Sequence, residues 1–453
     1  MRLYNSLSRQ VEELGFDESK MINLYVCGVT PYSAAHLGHA MCAVVFDVLR
    51  RYLEYEGYTV MHIQNFTDVD DKMINAASDQ EITVDELAER NISDYLEEIK
   101  SLNIKSATHY PRATQEIPSI ISLIEGLIEK QYAYESNGDV YFRVRKNDDY
   151  GKLSGRKLED LMSGARIEPS ESKEYPGDFA LWKKKKPGEP NWDSPWGQGR
   201  PGWHIECSAM SLSYLDNRID IHGGGQDLIF PHHENEIAQS ESYTGSVPFS
   251  KFWVHNGTLN FGGDKMSKSR GNIYTTREAI SKFSPDALRM FFLTSHYRSP
   301  LLFSEDAINS QERALARLRN SMSMPSGTGD VLNAAPYLER FTRAMNQDLN
   351  TPQALGAMFD LARAINRSSD ENGDVAYCQQ ELSKLSAILG LTLKASESFL
   401  DKSAHPFIDL LVNVRTSLRA NQQFALSDLI RDELSKMGVS VYDSQLGSEW
   451  DFE

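Results

Sequence analysis

Ile22-Asn23-Leu24-Tyr25-Val26-Cys27 is a short apolar run that reads as a buried strand. The turn Gly28-Val29-Thr30-Pro31 follows it, and the apolar periodicity of residues 36–55 then predicts a helix. Residues 58–64 read as the next strand. A strand, a helix and a second strand in this order open a parallel α/β sheet. In such a sheet, ligands sit at the carboxyl ends of the strands, beside the helix N-termini. His36 and His39 fall in that place.

Downstream the pattern loosens. Residues 114–201 read as an insertion carrying a helix, a hairpin around 139–144, and a stretch rich in Gly, Pro, Lys and Trp. The sheet resumes at 218–222 and runs through the Gly223-Gly224-Gly225 turn into a second helical segment beginning near Pro231. Ser323-Met324-Pro325-Ser326-Gly327-Thr328-Gly329-Asp330 reads as a linker, and a purely helical region follows to about residue 391. There Thr351-Pro352 reads as a helix start with Thr351 capping, and Leu355, Met358, Phe359, Ala362 and Ile365 share one face. A last unit from about Pro406 has two helices and a short strand, 439–442, after Gly438.

The length of 453 residues, 40% hydrophobic and 25% charged, suits a globular enzyme with two or more cores. No apolar run approaches a membrane span, and Met1-Arg2-Leu3-Tyr4-Asn5-Ser6 lacks the apolar core of a secretory signal, so a cytoplasmic protein without membrane association is expected. Four scattered cysteines, Cys27, Cys42, Cys207 and Cys378, exclude a disulfide scaffold; each is either a small buried hydrophobe or a ligand. The net charge of −17 counts against a nucleic-acid partner. Local charge differs, since basic groups cluster at residues 183–186 and at Arg313, Arg317 and Arg319.

The chemistry begins with His36-Leu37-Gly38-His39, just after a strand and opening a helix. Two imidazoles at a helix N-terminus, with a glycine allowing close approach, can donate to phosphate oxygens where the helix dipole also favours negative charge. A helix with two incidental histidines is the bland alternative. Far downstream, Lys265-Met266-Ser267-Lys268-Ser269 lies between Gly262-Gly263-Asp264 and Arg270-Gly271-Asn272. Glycines on both sides make a mobile loop, and the ammonium groups of Lys265 and Lys268 can reach a triphosphate and its leaving pyrophosphate.

Four further residues stand out: Cys27 at the end of the first strand, Cys207, and His232 with Glu236. The last two are four apart, so a helix would project both from one face. Two thiolates, an imidazole and a carboxylate suit zinc, although isolated cysteines of this kind are more often core residues.

The histidine and lysine elements, in this order and separated by a split sheet, resemble the HIGH and KMSKS signatures of class I aminoacyl-tRNA synthetases. Leu37 stands where the first signature has isoleucine. Residues 202–210 (Gly-Trp-His-Ile-Glu-Cys-Ser-Ala-Met), 222–236, 27–32 and Asn65-Phe66-Thr67-Asp68-Val69-Asp70-Asp71-Lys72 resemble segments of the cysteinyl-tRNA synthetase family. The resemblance implies a split Rossmann-like catalytic domain with an inserted domain, a helical anticodon-stem bundle and a small anticodon-binding unit. The corresponding boundaries are 1–113, 114–201, 202–250, 251–322, 323–400 and 401–453.

By the same resemblance, L-cysteine is activated with ATP and Mg2+ to an adenylate and passed to tRNA(Cys). His36, His39, Lys265 and Lys268 are the implied catalytic residues, and Gly38, Gly224 and Asp227 join His36, His39 and Lys268 in holding ATP. Thr67 and Trp203 are implied at the cysteine pocket. Cys27, Cys207, His232 and Glu236 are the implied ligands of one zinc ion that binds the substrate thiol, with His204, His222, His233 and Glu234 nearby. Trp450 either stacks on an unpaired base or anchors the last unit. A monomer is expected.

Two other readings share the pattern. One is the related ligase that couples cysteine to an amino sugar and lacks the last domain. The other is a non-catalytic zinc-containing tRNA-binding paralogue. The stretch 406–450 argues against the first, and the intact histidine and lysine pairs argue against the second.

Overall fold

A computed structural model describes residues 1–15, 20–158, 172–215, 219–261, 264–265, 274–393, 399–444 and 447–452. Its central sheet has four parallel strands in the order Ser250–Asn256, Ile219–Gly225, Met21–Val29 and Thr59–Phe66. The strand Met21–Val29 therefore has its successor in sequence on one side and a strand from nearly 200 residues later on the other. That is the point in an open α/β sheet where connections diverge and a crevice forms outside the carboxyl ends. Cys27 lies at this end of the strand.

The helix after the strand, Leu37–Tyr55, buries Leu37, Met41, Val44, Val45, Val48, Leu49, Tyr52 and Leu53. Its core is continuous with Leu288, Met290 and Phe291 of the helix Pro285–Leu293 and with Met358, Leu361 and Leu382 of the helical bundle. The bundle comprises Glu305–Ser323, Ala335–Asn346, Thr351–Asp370 and Ala376–Ile388. Residues 1–393 form one compact unit.

A buried ion pair fastens this core. Arg289, fully buried, donates to Asp47 Oδ2 at 2.5 Å and to the carbonyls of Leu102 and Leu389 at 2.9 Å. Burial alone would raise the Asp47 carboxyl, but Arg289 and Arg51 together with the Lys105 amide outweigh it and hold the group below the usual carboxylate range. Asp47→Ala leaves the Arg289 guanidinium buried without its counter-ion. We expect a loss of about 3–5 kcal/mol, read by urea denaturation, with Asp47→Asn intermediate.

The insertion carries a four-stranded antiparallel sheet, Ala133–Ser136, Asp139–Phe142, Phe179–Lys184 and Gly199–Pro201, on a separate core with Ile120, Leu123, Ile124 and Trp182. The hairpin expected around 139–144 spans 133–142 instead. Its turn is Asn137-Gly138, both with positive φ (56° and 91°), which is the backbone that a two-residue hairpin requires. The start of the helix Thr351–Asp370 also moves by one residue. Asn350, not Thr351, caps it by accepting from the Gln353 amide at 3.2 Å, while the Thr351 hydroxyl turns inward to the Leu293 carbonyl. Of the face expected there, Leu355, Met358, Ala362 and Ile365 are buried and Phe359 is half-buried.

Residues 394–453 form a second compact unit. Helices Phe399–Ala420 and Phe424–Lys436 and the antiparallel pair Val439–Ser444 with Gly447–Phe452 enclose a small core of Ile408, Val412, Leu434 and Val439. Trp450 packs against this core, donates from Nε1 to Asp409 at 2.8 Å and meets the His405 ring edge-on. These contacts describe an anchoring tryptophan. No helix among the described residues is long and apolar enough to cross a membrane.

Candidate active site

The N-terminus of the helix Leu37–Tyr55 is closed by its own histidines. His36 is the cap residue; its Nδ1 accepts from the Gly38 amide at 3.1 Å, and His39 Nδ1 accepts from the His36 amide at 3.3 Å. The rings stack with centroids 3.8 Å apart. With Nδ1 accepting in both rings, the ring proton of each imidazole lies on Nε2.

Both histidines line a cavity of about 460 Å³ at the carboxyl ends of the sheet strands. Cys27, Gly28, Thr30, Tyr32, Gly38 and Lys72 also line it, as do Trp203, Gly225, Asp227, Asn256 and Thr258. Gly28 permits this closeness, because a Cβ there would fall on the Asn65 carbonyl oxygen. Gly224 sits one residue behind the wall, against His233 and Leu228. Thr67 is buried and shares the Asn65 amide, whose Nδ2 also reaches Cys207 Sγ at 3.4 Å.

Of the four residues singled out in sequence, Cys27 lines the cavity and the other three are buried next to it. Cys27 Sγ is 3.9 Å from Cys207 Sγ and 3.4 Å from Glu236 Oε1, and His232 Nε2 is 3.1 Å from the same oxygen. One ligand atom from each of Cys27, Cys207, His232 and Glu236 fits within a span of 4.8 Å. His232 precedes the helix Glu234–Thr244 and belongs to an irregular turn, Ile229–His233, in which Phe230 is extended (φ −139°, ψ 131°). The segment expected to be helical from Pro231 thus begins three residues later. The backbone is nonetheless helical from His233, so the four-residue spacing still brings His232 and Glu236 together.

A second set, Cys27, His222, His233 and Glu236, overlaps the first. His222 and His233 are fully buried against Trp253, away from the Trp203 wall, and His233 Nδ1 meets His255 Nε2 at 2.8 Å, which in turn reaches Ser6. His232 instead stacks under Trp203, at 4.3 Å between centroids, and meets His204 Nδ1 at 3.0 Å. The first set is therefore the one joined to the cavity-lining Trp203.

The electrostatics fit a metal. Burial pushes the Glu236 carboxyl and the Cys27 thiol well up and drives His204, His222 and His233 well down, so these imidazoles are neutral and able to ligate. Cys207 is held at about 7, chiefly by the hydrogen bond from Cys27. Glu236 Oε2 is buried without a hydrogen-bond donor among the described residues, and His222 Nε2 lies 3.4 Å from it. An ionised carboxylate beside two thiols is costly in a dry interior, and a dication reverses that cost by favouring the ionised forms.

With this geometry in place, the likeness to known proteins is specific. Residues 14–313 match the family described as tRNA synthetases class I (C) catalytic domain, and residues 340–394 match the DALR domain. The chain is 54% identical to the cysteine–tRNA ligase of Dehalococcoides mccartyi over 99% of both chains. The chain belongs to the cysteine–tRNA ligase family. The cysteine–tRNA ligase of Caldicellulosiruptor saccharolyticus is 50% identical, again over 99% of each. A Mycobacterium tuberculosis methionyl-tRNA synthetase structure in complex with methionyl-adenylate shares the fold at 17% identity, with a TM-score of 0.61 over 86% of this chain and 94% of that one.

Of the remaining site residues expected for such a ligase, Lys268 lies outside the described residues, and for Lys265 only the backbone is described, in the short strand Asp264–Lys265. Tyr32, Lys72, Asn256 and Thr258 line the cavity and were not singled out in sequence. Tyr32 and Lys72 stand inside the quoted segments, so their signal was present without a role. Asn256 and Thr258 come from a strand end that only the tertiary fold identifies.

Proposed function

We propose that the chain activates L-cysteine and selects it by its thiol, through a zinc ion held by Cys27, Cys207, His232 and Glu236. Charging of tRNA with cysteine follows from membership of the ligase family. The adenylate intermediate, the zinc and the residue roles are inferred from the site. The observation that carries the proposal is the buried donor set with Cys27 at the cavity wall and His232 under Trp203.

When bound, zinc supplies a soft Lewis acid that takes a thiol as thiolate far more readily than it takes a hydroxyl, which separates cysteine from serine where packing could not. Trp203 closes the pocket over this set and excludes water. A carboxylate oxygen of cysteine then forms its bond to the α-phosphorus of ATP, the bond from that phosphorus to the α–β bridging oxygen breaks, and pyrophosphate leaves. His36 and His39 donate from Nε2 to phosphate oxygens, where the positive end of the helix adds to the effect. Asp227, with Gly224 behind it, holds the adenosine, and Lys265 and Lys268 neutralise the leaving pyrophosphate. The reaction needs positioning and charge stabilisation more than a nucleophilic side chain, and none is required here.

A terminal ribose hydroxyl of tRNA(Cys) then attacks the acyl carbon and AMP departs. The helices of residues 323–400 and the unit 401–453 serve the tRNA stem and anticodon, with 1–113 and 202–250 as the split catalytic domain, 114–201 as its insertion and 251–322 as the lysine-loop and stem-contact region. The enzyme acts as a cytoplasmic monomer.

The test is ATP–pyrophosphate exchange. Exchange that depends on cysteine and falls by at least about 1,000-fold with serine supports the proposal. Comparable exchange with both amino acids defeats it.

A further inference from the structure

Lys72 belongs to none of the roles above, yet it stands at the cavity beside the cysteine pocket. It follows directly from Thr67-Asp68-Val69-Asp70-Asp71 and is the second residue of the helix Asp71–Asp79. Its ammonium lies over two aromatic faces, 5.5 Å from the Tyr32 ring centroid and 5.9 Å from that of Trp203. Trp203 is the ring stacked on His232, so the charge sits at the amino-acid end of the cavity and not at the Asp227 end.

The carboxylates next to it in sequence are committed elsewhere. Asp70 turns back to cap its helix, accepting from the Met73 amide at 2.8 Å; Lys72 offsets part of the upward push that burial exerts on its carboxyl. Asp71 is clamped by Lys183 and Arg200, each at 2.5 Å, and the buried Arg200 is itself fixed by Glu189 at 2.9 Å. These pairs anchor the inserted domain's strand ends to the start of the Lys72 helix, so the backbone that carries Lys72 is held in place from that side. Among the described residues Lys72 makes no ion pair, and it is the one Lys or Arg lining the cavity. Two rings hold a cation in position at modest cost but do not neutralise it.

We infer that Lys72 binds the α-carboxylate of the substrate amino acid. This rests on the reading above, in which the thiol is held at Cys27 and His232. A cysteine anchored by its sulfur at the floor presents its carboxylate toward the cavity, past Trp203, where Lys72 can pair one oxygen and leave the other to attack ATP. Lys72 thereby fixes which way the amino acid faces. It would discriminate cysteine from a thiol that lacks the carboxyl group.

The experiment measures binding of L-cysteine and of cysteamine, which keeps the thiol and amine but has no carboxylate, to the zinc-containing full chain by calorimetry without ATP. In the unsubstituted protein cysteine binds more tightly than cysteamine. Lys72→Met weakens cysteine by about 10- to 100-fold, the range for a charge-assisted contact, and leaves cysteamine unchanged. Lys72→Arg retains most of the preference. Equal weakening of both ligands, or undiminished cysteine binding with a loss confined to ATP, overturns the inference. S-methylcysteine serves as the separate control on the thiol reading: its tight binding to the unsubstituted protein would defeat zinc selection, whatever Lys72 does.

Discussion

Cys207→Ser should raise the KM for cysteine by about 100-fold or more while the KM for ATP stays within about two-fold. The substitution changes one atom, and the two effects it combines can be separated. Cys207 is 1% exposed, so a serine hydroxyl there must find a partner or cost about 1–3 kcal/mol of stability. Asn65 Nδ2, already 3.4 Å from the sulfur, can supply that partner, which keeps the loss of fold small. The affinity loss is larger because a hydroxyl is a poor, harder ligand, and even outer partners of a metal site carry 10- to 100-fold effects when removed. The end of the cavity at Gly225 and Asp227, proposed to hold adenosine, does not share these contacts. Equal losses for cysteine and ATP would assign the four-residue set a purely structural role.

The second large effect falls on rate. His39→Ala is expected to lower kcat for pyrophosphate exchange by about 100- to 1,000-fold with little change in the KM for cysteine, as removal of a donor aimed at developing charge does elsewhere. His36→Ala should lower the rate similarly and also cost about 1 kcal/mol of stability, because its ring caps the helix by accepting from the Gly38 amide. Asparagine at position 36 restores the cap without the imidazole. The variant His36→Asn should therefore recover stability but not rate. Recovery of both would mean that His36 acts only on the helix.

These two sites differ in how far they could be read from sequence. The strand Met21–Val29, its turn and the helix Leu37–Tyr55 follow from apolar periodicity and turn residues, all local in the chain. The parallel partner Ile219–Gly225 could be placed as a strand, but its seat beside Met21–Val29 is a tertiary fact. The grouping of Cys27, Cys207, His232 and Glu236 was legible from residue chemistry and resemblance. That His232 stacks under Trp203 while His222 and His233 turn toward Trp253 was not, since His232 and His233 are adjacent in sequence and His222 comes from the separate strand Ile219–Gly225. Asn350 was missed because Thr351-Pro352 offers an equally good local signal; the Leu293 carbonyl, far away in sequence, draws the threonine inward and decides it. Lys72 stands in a quoted segment, but its sequence neighbours alone give it no role. The clamping of Asp71 by Lys183 and Arg200, from an insertion more than 100 residues away, is what leaves its charge to the cavity.

The central claim is that the substrate thiol becomes a ligand of the metal. Zinc-edge X-ray absorption of the protein as isolated, recorded with and without cysteine, tests it most directly. The account predicts one additional sulfur neighbour at zinc when cysteine binds and no change with serine. An unchanged sulfur count with saturating cysteine would contradict it.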